Sequence, residues 1–215
     1  LSDEYMVFST DSATKYIDLC MRLGMEADNR QWKTAAMIRK ADLLTRAGLL
    51  QEAEEVMGSI DTAGLSRDER IRYFGMKIFL YSHLGAYQGG EPNIYNTMER
   101  AYKDSMMKTI PRDHPEYLWY RGWDVLGSSR RDSTLIPSLV AKLEKSGRNC
   151  RQDAKEAYML AKLYEEGGDS LSALKYMVLA GTIDIQIYNA EIASMEELAK
   201  MLFRRGDIAV SYTHL

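Results

Sequence analysis

The side chains that most often carry chemistry are thinly spread along this chain of 215 residues. Its histidines are His83, His114 and His214, and no HxxxH, HExxH or Cys/His cluster joins them. Metal-ligand spacing is therefore missing, and no metal site is expected. No GxSxG elbow, GxxxxGK[ST] loop or GxGxxG turn occurs, so hydrolase and nucleotide-binding readings have no anchor. The carboxylate pairs Glu54-Glu55, Glu165-Glu166 and Glu196-Glu197 are sequence neighbours. On a helix, neighbours point in different directions and cannot converge on one substrate atom. They fit a solvated face better than an acid–base pair. No catalytic residue, cofactor or enzymatic activity is expected.

Cys20 and Cys150 stand 130 residues apart with no CxxC and no adjacent histidine. Two half-buried small apolar residues is the simpler expectation, and a long-range disulfide the alternative. A charge of −3 and a pI near 5.7 give no basic face for phosphate, so nucleic acid is not an expected direct partner. The balance of 46% hydrophobic and 27% charged residues is that of a folded, water-exposed domain. No apolar run approaches the length of a membrane span. Membrane attachment is expected only through segments beyond this sequence.

What positions the side chains is a recurring glycine. Gly48, Gly85, Gly127, Gly168 and Gly206 follow one another at intervals of 37, 42, 41 and 38 residues. Four places before each stands a large residue: Leu44, Tyr81, Trp123, Tyr164 and Leu202. A large side chain one turn before a glycine is how a helix with one buried face ends and reverses. Helical hairpins repeated at about 34–42 residues make a solenoid. The pattern predicts about ten helices: Thr10–Leu23, Asp28–Ala47, Leu49–Ile60, Ser66–Leu84, Pro92 to Thr109, Pro115 to Leu126, Ser133–Ser146, Gln152–Glu166, Asp169–Ile183 and Asn189–Arg205. The first reads as the second half of a hairpin, and the last as the first half of another.

Ala157–Ala180, AYMLAKLYEEGGDSLSALKYMVLA, resembles the tetratricopeptide repeat (TPR). Leu160, Ala161, Tyr164, Gly168, Asp169, Ala173 and Ala180 fall on its large, small, aromatic, turn and small positions. Ala41, Leu44, Gly48 and Ala53 occupy equivalent places 120 residues earlier. The resemblance implies an all-α, right-handed α-α superhelix over residues 1–207. Residues 208–215 do not continue the pattern, and Ser211–Leu215 reads as a non-native tail. The strings AGLLQEAEEVMGSID, HPEYLWYRGW and SALKYMVLAGTIDIQ are also similar to a group of bacterial membrane-associated regulators. In that group a repeat array precedes a transmembrane helix, a coiled coil and a helix-turn-helix. This implies a non-enzymatic protein- or peptide-interaction or sensor module, on the extracytoplasmic face of a bacterial membrane. The alternative is a helical-repeat glycan-binding lipoprotein of a nutrient-uptake system, with Tyr87 and Tyr95 as its candidate aromatic platform.

In the TPR register the concave groove is lined by Ile38, Arg39 and Asp42, by Met76 and Phe79, by Tyr117 and Arg121, and by Tyr158, Met159 and Lys162. Trp119, Tyr120 and Trp123 fall on buried hairpin positions. The expected centre is two rings, Tyr117 and Tyr158, flanked by two cations, Arg121 and Lys162. Such a mixture suits an extended peptide, with stacking on rings and pairing of charges. The two-carboxylate clamp of some TPR arrays is not implied, because Ile38, Gly75 and Tyr158 occupy its places.

Overall fold

A computed structural model describes residues 10–90, 93–128, 131–187 and 193–206. Among them are ten helices: α1 (Thr10–Glu26), α2 (Arg30–Arg46), α3 (Leu50–Gly58), α4 (Arg67–Gln88), α5 (Ile94–Thr109), α6 (Tyr117–Val125), α7 (Leu135–Lys145), α8 (Arg151–Glu166), α9 (Ser170–Gln186) and α10 (Ala193–Arg204). Contacts gather them into two compact units, Leu1–Pro111 and Arg112–Leu215. Expectations for Pro92, Asn189 and the 208–215 tail lie outside the described residues.

The starts of the helices follow from short polar side chains that satisfy free backbone amides. Asn29 accepts from Trp32 N at 3.1 Å and Asp169 from Ser172 N at 3.1 Å. Ser66 and Glu69 form a reciprocal capping box, at 3.3 and 2.8 Å. Pro137 sits in the first turn of α7, where its missing N–H costs nothing. The ends follow from left-handed glycines: Gly48, Gly127, Gly168 and Gly206 have φ of +78°, +68°, +81° and +84°.

Gly85 departs from the expected pattern. It does not end a helix; α4 runs through it to Gln88, and the chain reverses at Gly89 and Gly90, with φ of +63° and +75°. Gly85 is buried because α5 crosses it. An added Cβ would lie 2.3 Å from Asn96 Oδ1. Asn93, which caps α5 through Tyr95 N, also donates to the Gly85 carbonyl at 2.9 Å. The glycine serves close approach rather than a turn.

The first unit packs α2, α3 and α4 around Ala41, Ala53, Met57, Leu80 and Leu84. Ala41 and Ala53 are fully buried, so the backbones of α2 and α3 come together there. Lys77, also buried, carries its ammonium 5.3–6.0 Å from the ring centroids of Tyr73, Tyr81 and Tyr102. Burial pushes its pKa down, and Glu54 opposes that shift. The ring faces stabilise a cation that water no longer reaches.

In the second unit Leu135, Leu139 and Leu143 of α7 pack on Ala157, Leu160 and Leu163 of α8. Ala161 and Ala173 meet between α8 and α9, with Met177 and Met201 beside them. The Tyr164 and Tyr176 rings stack at 5.5 Å with planes 1° apart. Glu156 is fully buried, and its Oε1 accepts from Lys142 Nζ and Gln152 Nε2. Cys20 and Cys150 are free and exposed, which corrects the expectation of half-buried residues. Cys20 lies on the surface of α1, and Cys150 immediately precedes α8 in extended backbone.

Ala161→Leu should destabilise the second unit by about 1–3 kcal/mol through overpacking. Urea unfolding followed by circular dichroism checks this, and an unchanged midpoint would reject the hairpin register.

Candidate functional site

α6 and α8 carry the expected groove residues of the second unit, and α10 is the next helix packed on α9. α6 lies on α8 because Gly122 leaves room for Met159. A Cβ there would fall 2.2 Å from Met159 Sδ. This approach determines where the large residues on either side of Gly122 go.

Trp119 and Trp123, one turn apart, meet edge to face at 5.5 Å and 86°. Tyr158 of α8 joins them at 6.4 and 6.5 Å. All three rings are only partly buried. Trp119 and Trp123 pack against the core of α7 and α8, as their register positions lead one to expect, but each keeps a minority of its surface in water. Met159 occupies the space beneath α6, and the indoles pack beside Tyr158 with part of their surface in water. Tyr120 has its hydroxyl pKa raised by burial, with Glu116 adding to the shift. Tyr117 opens α6 half-buried. Met159 is fully buried rather than groove-lining.

The cations expected to flank the rings already have carboxylate partners. Arg121 pairs with Asp124 and, at 2.9 Å, with Asp132. Lys162 pairs with Glu165 at 2.8 Å and with Glu197 of α10 at 3.1 Å. Glu165 reaches Arg204 at 2.7 Å, and Lys200 bridges Glu196 and Glu197 at 2.9 and 3.0 Å. Lys155, paired with Glu116 at 3.1 Å, lies 5.5 Å from the Trp119 centroid. Three partly buried rings thus stand among charges that largely cancel. The missed signal is a basic residue followed three places later by an acidic one, Arg121-Asp124 and Lys162-Glu165. It falls at the same register in both repeats, and at that spacing the ends of the side chains meet.

The expected groove residues of the first unit divide differently. Met76 is 6% exposed and belongs to the core beside Tyr73 and Leu80, which corrects its place as a groove residue. Ile38 is half-buried against the same core. Arg39 is exposed, and Asp42 pairs with Arg46 at 2.9 Å. The Arg46 guanidinium lies 5.1 Å from the centroid of Phe79, whose ring meets His83 at 4.4 Å. Tyr95 turns inward to stack on Tyr81 at 6.1 Å, whereas Tyr87 stands 87% exposed. These two tyrosines do not form the joint platform that the glycan alternative needs.

Among the described residues no three His, Cys, Asp or Glu side chains gather to hold a metal, and no helix is long and apolar enough to cross a membrane. The family model described as the SusR N-terminal TPR domain matches residues 1–215. The chain belongs to that family. No curated protein and no solved structure matches it. A SusR-type TPR domain is an all-α array of helical hairpins of the protein-interaction kind, a class that is typically non-catalytic.

The ion pairs make the second unit sensitive to acid. Lys162 holds the Glu165 carboxyl below its usual value of 4.5, and Arg204 assists. At Glu197 burial pushes upward, but hydrogen bonds from Lys200 and Lys162 outweigh it and the value is lowered from 4.5. Burial pushes Lys162 downward, yet its bonds to Glu165 and Glu197 leave it raised. A carboxylate with a lowered folded-state pKa stabilises fully above its unfolded value. That contribution is lost as pH falls through the folded value. Below pH 4.5 stability should therefore drop, and Lys162→Met should make the drop shallower. Denaturation midpoints in an acid pH series check this, and parallel profiles for the two proteins would contradict it.

Proposed function

We propose that this chain is a non-enzymatic input module that binds a protein or peptide ligand on the face formed by α6, α8 and α10. In the same reading it serves a membrane-tethered transcriptional regulator from the extracytoplasmic side of a bacterial membrane. The family match and the resemblance of its repeat strings to membrane-associated regulators support that role. One observation carries the choice of face: Trp119, Trp123 and Tyr158 lie together, partly in water, at the centre of an otherwise charge-balanced surface. Aromatic residues fixed against a core with an edge in water anchor ligands because they bury large area at little entropic cost.

Because Arg121 and Lys162 are committed to carboxylates, a ligand would meet rings first and charges second. A large apolar or aromatic ligand side chain would sit against Tyr158, with Tyr117 at its edge. Charges of either sign on the ligand would exchange with the surrounding pairs. Arg39, Asp42 and Phe79 would give the first unit a second, smaller contact face.

The test is a tryptophan-fluorescence titration against a peptide library, in a Trp32→Phe background that removes the exposed indole of α2. Tyr117→Ala/Tyr158→Ala should weaken a hit by about thirtyfold, the ~2 kcal/mol of a hot spot. Lys145→Ala, on exposed α7 surface, should change affinity by less than about twofold. Equal affinities for the double variant and its parent would remove this face from the account.

A further inference from the structure

Glu156 lies in the first half of α8, fully buried, where a carboxylate is unfavourable unless its partners are good. Its Oε1 accepts from Lys142 Nζ of α7 and, at 2.9 Å, from Gln152 Nε2 one turn earlier on α8. Its Oε2 is buried with no hydrogen-bond partner among the described residues. The array does not call for a charge at this place. Glu156 stands twelve residues before Gly168, and twelve before Gly48, Gly85 and Gly206 stand Ala36, Tyr73 and Ser194, each of them buried. Nor does Lys142 require a buried partner, since its side chain is 38% exposed.

What the carboxylate does is aim its two donors. Lys142 Nζ also donates to the Pro115 carbonyl at 2.8 Å, and Gln152 Nε2 donates to the same carbonyl at 3.4 Å. Each donor thus bridges a buried oxygen on α8 and a backbone oxygen two residues before α6. α6 has little else to fix its start. Gly122 and Asp124 are its buried residues, and Glu116 at its N-cap makes no side-chain cap bond. Glu116 pairs instead with Lys155, the sequence neighbour of Glu156. At the far end the Gly127 N–H donates to Glu166 Oε1 at 2.9 Å. Trp119 follows Pro115 by one turn and Trp123 by two, so a shift of that carbonyl is carried along the helix to both indoles.

We propose, resting on the reading of α6, α8 and α10 as the ligand face, that Glu156 is a positioning residue for it. Glu156 touches no ligand; through Lys142 and Gln152 it sets where α6 starts, and hence how Trp119 and Trp123 stand against Tyr158. An apolar pair of similar volume in place of a buried ion pair is often neutral or stabilising. Stability should therefore not depend on the Lys142–Glu156 pair, whereas placement of the indoles should.

In the Trp32→Phe background the remaining indoles are Trp119 and Trp123. Their near-ultraviolet circular dichroism then reports placement, and urea unfolding reports stability. Lys142→Met/Glu156→Met, which removes both charges together, should keep a midpoint at or above that of the parent. Its indole bands should weaken, and acrylamide should quench its indoles more efficiently. Glu156→Gln keeps an oxygen to accept from Lys142 and Gln152, and it should retain the parent spectrum. Gln152→Met leaves the ion pair in place and removes one donor from Pro115. It should move the spectrum in the same direction by less, and it decides the matter if the double variant does not fold. A peptide hit from the titration above should bind the double variant about tenfold more weakly than the parent, and Glu156→Gln about as well as the parent. Indole spectra unchanged in both the double variant and Gln152→Met would overturn the proposal. So would a midpoint and spectrum lost together that Glu156→Gln does not relieve. A shifted spectrum with no peptide bound by the parent would remove the ligand face and leave Glu156 as the residue that places α6.

Discussion

Several close helix approaches in this chain fall where one residue of the pair carries little or no side chain. Gly122 against Met159, Gly85 against Asn96, and the buried alanines 41, 53, 161 and 173 are such places. Each removes the atoms that would hold two backbones apart, and the neighbouring large residues then fill the space on either side. The constraint is tight: a Cβ at 2.2–2.3 Å from its nearest neighbour would force the Met159 or Asn96 side chain to move. The aromatic cluster of α6 and α8 inherits its shape from this. Trp119 and Trp123 lie beside Tyr158 because Gly122 between them lets α6 settle onto α8.

Charge is arranged largely by local pairing. Glu156, fully buried, pairs its Oε1 with Gln152 one turn away and with Lys142 of α7, while its Oε2 is buried without a partner among the described residues. Lys77 rests among three tyrosine rings. On the α6–α8–α10 side, basic and acidic residues three or four apart neutralise one another and link α8 to α10. The consequence for recognition is that the surface offers rings without a strong field. Affinity there would come from buried aromatic area, and salt would modulate it only weakly.

Much of the fold is legible in the sequence, and the reason is periodicity. Apolar residues every three or four places, polar caps such as Ser66 and Asp169, and left-handed glycines such as Gly168 each specify local structure independently of the rest. Where a residue type serves two purposes, legibility fails. Gly85 has the spacing of a helix end and the environment of a helix crossing, and only the position of Asn96 distinguishes the two. Trp119 and Trp123 occupy core positions in the repeat register and pack on the core, but spacing does not tell that part of each indole stays in water beside Tyr158. Met76 has groove spacing and a core environment, because α4 carries buried residues on most of its circumference. Arg121 and Lys162 read as free cations while Glu197, in a different hairpin, is out of view.

Docking of α6 on α8 at Gly122 and Met159 is the step on which the face depends, and a double-mutant cycle measures it directly. Gly122→Ala should destabilise the second unit because the new methyl group meets the Met159 thioether. Met159→Ala should destabilise it by emptying a fully buried site. Combined, the two should recover part of the loss, with a coupling energy above about 0.5 kcal/mol, and the near-ultraviolet circular dichroism of the indoles should return toward that of the parent. Additive losses, with an aromatic spectrum indifferent to both substitutions, would contradict this docking and the face built upon it.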